Sequence, residues 1–147
     1  MARLKYHKAR YFYEAARQRF EDAEILPSRD RLTGAFYLAG YGVECILKAL
    51  ILASIDDPKH RSEVDRSFRG QAAHDIEELR RLYVSESGRT IPKSISLQLA
   101  TVKTWQTDLR YETSVKSRKE TVAFFDAVTD VIRWADGCLN YGSDKSS

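Results

Sequence analysis

The sequence is short of the residues that make turns. Its 147 residues include only seven glycines and three prolines, the residues that most often interrupt regular structure. A protein of many short strands needs frequent turns, so this scarcity favours a few long helices. No stretch shows the apolar–polar alternation of a half-buried strand, and no internal repeat is visible. A chain of this length is one ordinary domain that can bury a core.

Cysteine is also scarce, since Cys45 and Cys138 are the two in the chain. Neither these nor the histidines His7, His60 and His74 have the spacing of metal ligands, so we expect no metal and no cofactor. Cys45 stands among apolar neighbours and is predicted to be a small core residue. No basic and apolar signal segment opens the chain, so we expect a protein of the reducing cytoplasm.

An uninterrupted apolar run of membrane-spanning length is missing. Residues 34–54 come closest in length, but Glu44 and Lys48 stand in the middle of this run. A charge at the centre of a bilayer costs roughly 2.5–3.5 kcal/mol on insertion scales. Glu44 precedes Lys48 by four positions, so the two can pair on one helix face. We therefore predict the most buried helix of a soluble bundle and no contact with a membrane.

Apolar residues at helical spacing predict five helices. The first helix ends before Pro27, the second covers about residues 30–54, and the third runs from near His74 to Ser87. The fourth runs from Thr90 to Glu112, and the fifth opens with the capping-box pair Ser117 and Glu120. Residues 55–72 are predicted to be the longest polar connection, and residues 142–147 a frayed tail. Residues 1–141 are thus expected to form a single helical bundle.

Basic residues are concentrated at the start of the chain. Residues 1–19 hold six basic side chains against one acidic side chain, with four aromatic residues interleaved. Cations and aromatic rings together can bind phosphates and stack bases. The alternative is an ordinary amphipathic helix whose aromatic residues face the core and whose cations face water.

Three motifs together resemble one known family. The run Ala35–Leu50, which contains Glu44 and Lys48, resembles the second-helix signature of the HEPN (higher eukaryotes and prokaryotes nucleotide-binding) family. His74-Asp75-Ile76 resembles the start of that family's third helix, and Leu109-Arg110-Tyr111 resembles the end of its fourth. The resemblance spans about residues 9–136. It implies an all-α, up-and-down bundle of four or five helices, usually a homodimer.

The resemblance also implies a range of functions. Many HEPN proteins are ribonucleases that use an Arg and a His separated by four to six residues. Others are non-catalytic or pair with a nucleotidyltransferase, and toxin–antitoxin and phage-defence roles are common. We therefore expect contact with RNA or a nucleotide, with an antitoxin or a nucleotidyltransferase as the alternative partner.

Arg69 and His74 match the ribonuclease spacing, with four residues between them. The histidine could exchange a proton with a ribose hydroxyl near neutral pH, and the arginine could hold the scissile phosphate, without a metal. The pair is our candidate for catalysis by a metal-independent endoribonuclease. Relatives without catalysis also carry a histidine at this helix start, so the alternative role of His74 is to cap the helix or bond a neighbouring helix.

Arg110, Tyr111, Lys48 and Glu44 are the candidates for binding a nucleotide or RNA. An arginine beside aromatic side chains can bind a phosphate and stack on a base. Alternatively, Arg110 could simply be stabilised by the partial negative charge at the C-terminus of its helix. Glu44 and Lys48 could line a pocket between helices. A buried pair of this kind can also serve to fix the register of the bundle, which is the interpretation we favour.

Overall fold

The computed structural model of the protein describes residues 7–25, 32–70, 75–111 and 118–144. All regular structure in these ranges is α-helical. The helices are α1 (His7–Ile25), α2 (Leu32–Ala53), α3 (Pro58–Ser67), α4 (Ile76–Ser87), α5 (Lys93–Tyr111) and α6 (Arg118–Asp144). The predicted all-helical class is therefore confirmed, with one helix more than the four or five expected.

Helix α2 is the innermost element, as the apolar run around Glu44 predicts. Every residue from Val43 to Ala53 is buried, and α2 packs against all five of the other helices. A helix that is apolar around its whole circumference can be stable in water only when neighbours cover it on every side. Within the described ranges, no helix has the length and apolar character that crossing a lipid bilayer requires.

The other helices surround α2 and share one core. Helix α1 packs along α2, and α5 packs along α6, where Nε2 of Gln98 donates a hydrogen bond to Oδ2 of Asp130 at 3.2 Å. Tyr83 on α4 and Phe124 on α6 are the largest fully buried side chains. The ring of Tyr83 meets that of Trp134 edge to face, with 5.6 Å between the centroids. Such pairs contribute about 0.5–1.5 kcal/mol beyond the area they bury.

The segment 55–72 is not the extended polar connection that we predicted, because it contains α3. The carboxylate of Asp57 accepts hydrogen bonds from two backbone N–H groups of the first turn, and Pro58 stands at the first helical position. Both are ordinary signals for a helix start. Among residues 59–70, which the structure describes, the buried apolar residues are Val64 and Phe68, so the apolar stripe there is too narrow for a periodicity argument to detect.

The remaining helix ends lie close to the predicted positions. Asp75 is the N-cap of α4, and Gly88 ends that helix with a φ of 67° in the left-handed region. Helix α6 continues to Asp144, so the first three residues of the predicted frayed tail are helical. Ser117, the first residue of the predicted capping box, lies outside the described residues.

Candidate functional site

Arg69, the first member of the predicted catalytic pair, lies in the turn that ends α3. The turn is held by backbone hydrogen bonds, among them one from the N–H of Arg69 to the carbonyl of Arg66 at 3.2 Å. Arg69 itself is exposed to solvent, although Phe68 beside it is buried. His74 lies outside the described residues, so the distance between the two predicted catalytic side chains stays a prediction.

The residue after His74 is a helix cap. Oδ1 of Asp75 accepts hydrogen bonds from the backbone N–H groups of Glu77 at 2.8 Å and of Glu78 at 3.4 Å. Burial would raise the pKa of Asp75, but the hydrogen bond from Glu77 and the ammonium group of Lys103 outweigh burial and hold that pKa below its usual range. A carboxylate therefore already occupies the N-terminus of α4, and any further anion at this end must be held by side chains.

Helix α5 carries Arg110, the other arginine predicted to bind phosphate, towards the end of the bundle at which α4 begins. Nζ of Lys103 lies 3.3 Å from Oδ1 of Asp75, which fixes the start of α4 beside α5. Arg110 and Tyr111 follow Lys103 by about two turns, roughly 10 Å of helix, and they are the last described residues of α5. Their side chains are outside the described part of the structure, so their role in binding stays a prediction.

Glu44 and Lys48 are both buried in the bundle, with 6% and 4% of their surface exposed. The ammonium nitrogen of Lys48 lies 5.6 Å from the ring centroid of Phe12 on α1 and 5.5 Å from that of Phe68, just after α3. Cation–π contacts of this length contribute about 2 kcal/mol when they are desolvated. Buried Lys48 on α2 thus contacts both α1 and the end of α3 and stabilises their packing. Binding of a nucleotide by Glu44 or Lys48 stays a prediction.

The aromatic contacts around Lys48 continue to the surface of α1. Phe12 and Phe68 meet edge to face at 5.7 Å, and Tyr11 meets Phe12 in the same manner at 5.5 Å. Tyr11 is nevertheless 60% exposed. One of the two alternatives predicted from the sequence was an amphipathic helix whose aromatic residues face the core, and Phe12 fits that description whereas Tyr11 faces solvent.

A histidine–carboxylate pair lies at the opposite end of α3. Nε2 of His60 is 2.8 Å from Oε2 of Glu86 near the end of α4, and Nδ1 of His60 is 4.0 Å from Oε2 of Glu63. The hydrogen bond with Glu86 raises the pKa of His60. His60 is partly exposed. Its partner could not be found by spacing, because the two residues are far apart in the sequence.

Both cysteines are free thiols. Cys45 is buried, as predicted, and Cys138 is half-buried. Burial raises the pKa of the Cys45 thiol to about 11, so this thiol is protonated at neutral pH. The reactive form of cysteine is the thiolate, and Cys45 is accordingly a core residue.

A model of the HEPN domain family matches residues 9–138, which is most of the chain. The protein belongs to the HEPN domain family. The matched range agrees closely with the span of the resemblance seen in the sequence, about residues 9–136, and the bundle formed by the described helices is the all-α architecture that the resemblance implies. No curated protein and no solved structure matches the chain. Membership of the HEPN family implies a function related to nucleotides or RNA.

Proposed function

We propose that this HEPN protein contacts RNA or a nucleotide through the end of the bundle at which α3 ends and α4 begins. The setting that we propose is a prokaryotic toxin–antitoxin or phage-defence system, with the protein acting as a cytoplasmic homodimer. Family membership supports a nucleotide-related role. The setting rests on the resemblance of the motifs to those of HEPN proteins.

The exposure of Arg69 is the observation that carries this proposal. Arginine is always charged and its planar guanidinium group can bind a phosphate through two parallel hydrogen bonds. The turn beneath Arg69 is anchored because Phe68 is buried against Phe12 and Lys48. The cation is thus presented to solvent from an ordered support, which reduces the entropy lost on binding.

The contact between Asp75 and Lys103 adds a second argument. It fixes the start of α4 beside α5, the helix whose last residues are Arg110 and Tyr111. An anion that binds near Arg69 would therefore have α5 and its terminal cation as the next available surface. We propose that Arg110 binds a second phosphate and that Tyr111 stacks on a base.

Binding measurements on charge-neutral variants test the proposal. Fluorescence anisotropy with a labelled single-stranded RNA, and competition by a free nucleotide, should show binding that weakens as salt is added. Arg69→Gln should lower the affinity and reduce the slope of log affinity against log salt by about 0.7, the value for one phosphate contact with a single strand. Arg89→Gln is the matched control, because Arg89 is also an exposed arginine after a helix end. Equal losses in both variants would contradict the proposal.

A second candidate function is metal-independent cleavage of RNA by Arg69 and His74. The exposure of Arg69 and the position of His74 immediately before the cap residue Asp75 favour it. In this reaction His74 would take the proton of a ribose 2′-hydroxyl, and that oxygen would attack the neighbouring phosphorus atom while the bond from phosphorus to the 5′-oxygen of the next nucleotide breaks. The products would be a 2′,3′-cyclic phosphate and a 5′-hydroxyl group, whose proton comes from solvent or from His74. Arg69 would stabilise the charge that develops on the phosphate oxygens.

Cleavage assays in the presence of a chelator separate the two functions. If the protein is a ribonuclease, His74→Ala should remain folded and lose cleavage while it keeps most of its RNA binding. A marked fall in melting temperature for His74→Ala would instead support a capping role. If the folded wild type neither binds nor cleaves RNA but binds an antitoxin or a nucleotidyltransferase tightly, a non-catalytic partner subunit replaces both proposals.

A further inference from the structure

The solvent-facing side of α1 combines one open aromatic ring with flanking cations. Tyr11 is 60% exposed, and Lys8, Arg10 and Arg17 are exposed beside it. With 100° between successive residues, Lys8 and Arg10 fall on either side of Tyr11 around the helix, and Arg17 follows Arg10 by two turns. Glu14, the one acidic residue between positions 8 and 19, is exposed on the same side of α1, about 60° from Tyr11 in the direction of Arg10.

The ring of Tyr11 is held in place although it is open to solvent. Its edge-to-face contact with Phe12, at 5.5 Å, links it to a ring that contacts Phe68 and the buried ammonium group of Lys48. A ring supported in this way loses little freedom when a flat ligand stacks on it. Base stacking on such a ring requires an unpaired base.

We propose that the outer side of α1, formed by Lys8, Arg10 and Tyr11, is a binding surface for single-stranded RNA. A base stacks on Tyr11, and the cations on either side hold the adjoining phosphates. This inference rests on the proposed function in that the ligand is RNA, but it assigns a surface separate from Arg69. Arg17 is paired with Asp136 at 3.1 Å, so its charge is already balanced, and Lys8 and Arg10 supply the cations of this surface.

Two other occupants fit the surface less well. A second copy of the chain, packed through the same surface of both protomers, would bring two cations, Lys8 and Arg10, and one carboxylate, Glu14, from each protomer into the interface, which leaves an excess of positive charge. A membrane-bound helix needs a broad apolar face, but the apolar residues Ala9 and Ala16 of α1 are buried in the bundle. An anionic chain with flat bases satisfies both the charges and the open ring.

The test is the binding of a labelled oligouridine, which has no stable secondary structure, to the full chain and its variants. Tyr11→Ala should weaken binding by about 5- to 150-fold, the range for the loss of one stacked base, without changing the salt dependence. Tyr11→Phe should bind like the wild type, because it keeps the ring. Arg10→Gln should reduce the slope of log affinity against log salt by about 0.7. Arg133→Gln, at an exposed position of α6, is the matched control and should change neither quantity by a comparable amount.

The outcomes separate this inference from the proposed function. If Tyr11→Ala and Arg10→Gln bind like the wild type while Arg69→Gln binds weakly, the inference is overturned and the proposed function stands. The opposite result supports the inference and removes Arg69 from the binding surface. If Tyr11→Ala is unfolded by circular dichroism, Tyr11→Leu replaces it, since leucine keeps apolar packing without a stacking plane. A change in oligomeric mass with unchanged RNA affinity would overturn the inference in favour of a second copy.

Discussion

The hydroxyl group of Tyr13 lies 2.6 Å from Oδ1 of Asp136 and donates a hydrogen bond that joins the first helix of the bundle to the last. Arg17 donates to the other carboxylate oxygen at 3.1 Å, and its guanidinium group lies 6.0 Å from the centroid of the Tyr13 ring. Burial, together with the hydrogen bond to Asp136, raises the pKa of Tyr13, so its phenol is protonated at neutral pH. These contacts hold α1 in place and thus support the cations on its outer side.

Tyr13→Phe should destabilise the protein by about 1 kcal/mol, because it removes a hydrogen bond to a partly exposed carboxylate and leaves the ring. Urea unfolding followed by circular dichroism measures this change. Tyr11→Phe is the matched control, since it removes the hydroxyl of a neighbouring tyrosine that is exposed. Equal stability of the two variants would mean that the bond to Asp136 contributes nothing.

Lys48→Met tests the cation between Phe12 and Phe68. Methionine keeps the apolar stem and fills a similar volume, so the change reports mainly on the charge. We expect a loss of about 2 kcal/mol in the free energy of unfolding, the contribution of a desolvated cation–π contact. Lys93→Met, at an exposed position, should change stability little. A variant as stable as the wild type would show that the aromatic contacts do not compensate for burying the charge.

Asp75→Ala should destabilise the protein by about 1 kcal/mol, because α4 loses its N-cap. Asp57→Ala removes the cap of α3, whose hydrogen bonds are longer, at 3.3 and 3.4 Å, and should cost less. The pKa of Asp75 lies below its ordinary value of 3.8 in the folded protein. Its contribution is therefore complete above 3.8 and is lost as the pH falls through the folded pKa. The difference in the free energy of unfolding between Asp75→Ala and the wild type should therefore become smaller as the pH is lowered below 3.8. A difference that stays constant would contradict the assignment of Asp75 as a charged cap.

His60→Gln should destabilise the protein more in acidic than in alkaline buffer. The hydrogen bond with Glu86 raises the pKa of His60 above its ordinary value of 6.5. A raised pKa means that the pair stabilises the fold fully below 6.5 and ceases to do so as the pH rises through the folded pKa. Thermal melts of variant and wild type on either side of this range measure the difference. A difference that does not vary with pH, or that grows in alkali, would rule out a charged pair.

Gly88→Ala and Gly137→Ala should have opposite effects. Gly88 has a φ of 67°, which alanine adopts only with strain, so its substitution should cost about 1 kcal/mol. A Cβ atom at Gly137, within α6, would meet nothing within 4 Å, so alanine there should stabilise the protein by roughly 0.5–1 kcal/mol. Melting temperatures of the two variants check the pair, and a shift of the same sign in both would contradict the helix end at Gly88.

The fold could be predicted from the sequence wherever apolar residues recur over several turns. Helix α2 is the clearest case, because the two charges Glu44 and Lys48 exclude a membrane span and the surrounding residues demand burial. Helix α3 was missed because Val64 and Phe68 alone carry its apolar side, although Asp57 and Pro58 mark its start. Local start signals are thus the better guide for a short, largely exposed helix.

The site was harder to predict, because its contacts join residues distant in sequence. Spacing alone suggested a pair between Glu44 and Lys48, but it could not reveal that Phe12 and Phe68 flank the ammonium group of Lys48. Lys103 received no role from the sequence, since only the packing of α5 against the start of α4 brings it to Asp75. The paired roles of Arg69 and His74 stay a prediction.

Mapping RNA contact by amide chemical shifts is the most direct test of RNA binding by this HEPN protein. Titration with an unstructured RNA at low salt should shift the amide signals of Arg69 and its neighbours, and also those of α1 around Tyr11. Signals near His60 and Glu86, at the other end of α3, should stay unchanged. Shifts confined to that other end, or no shifts at all in the folded protein, would contradict the account.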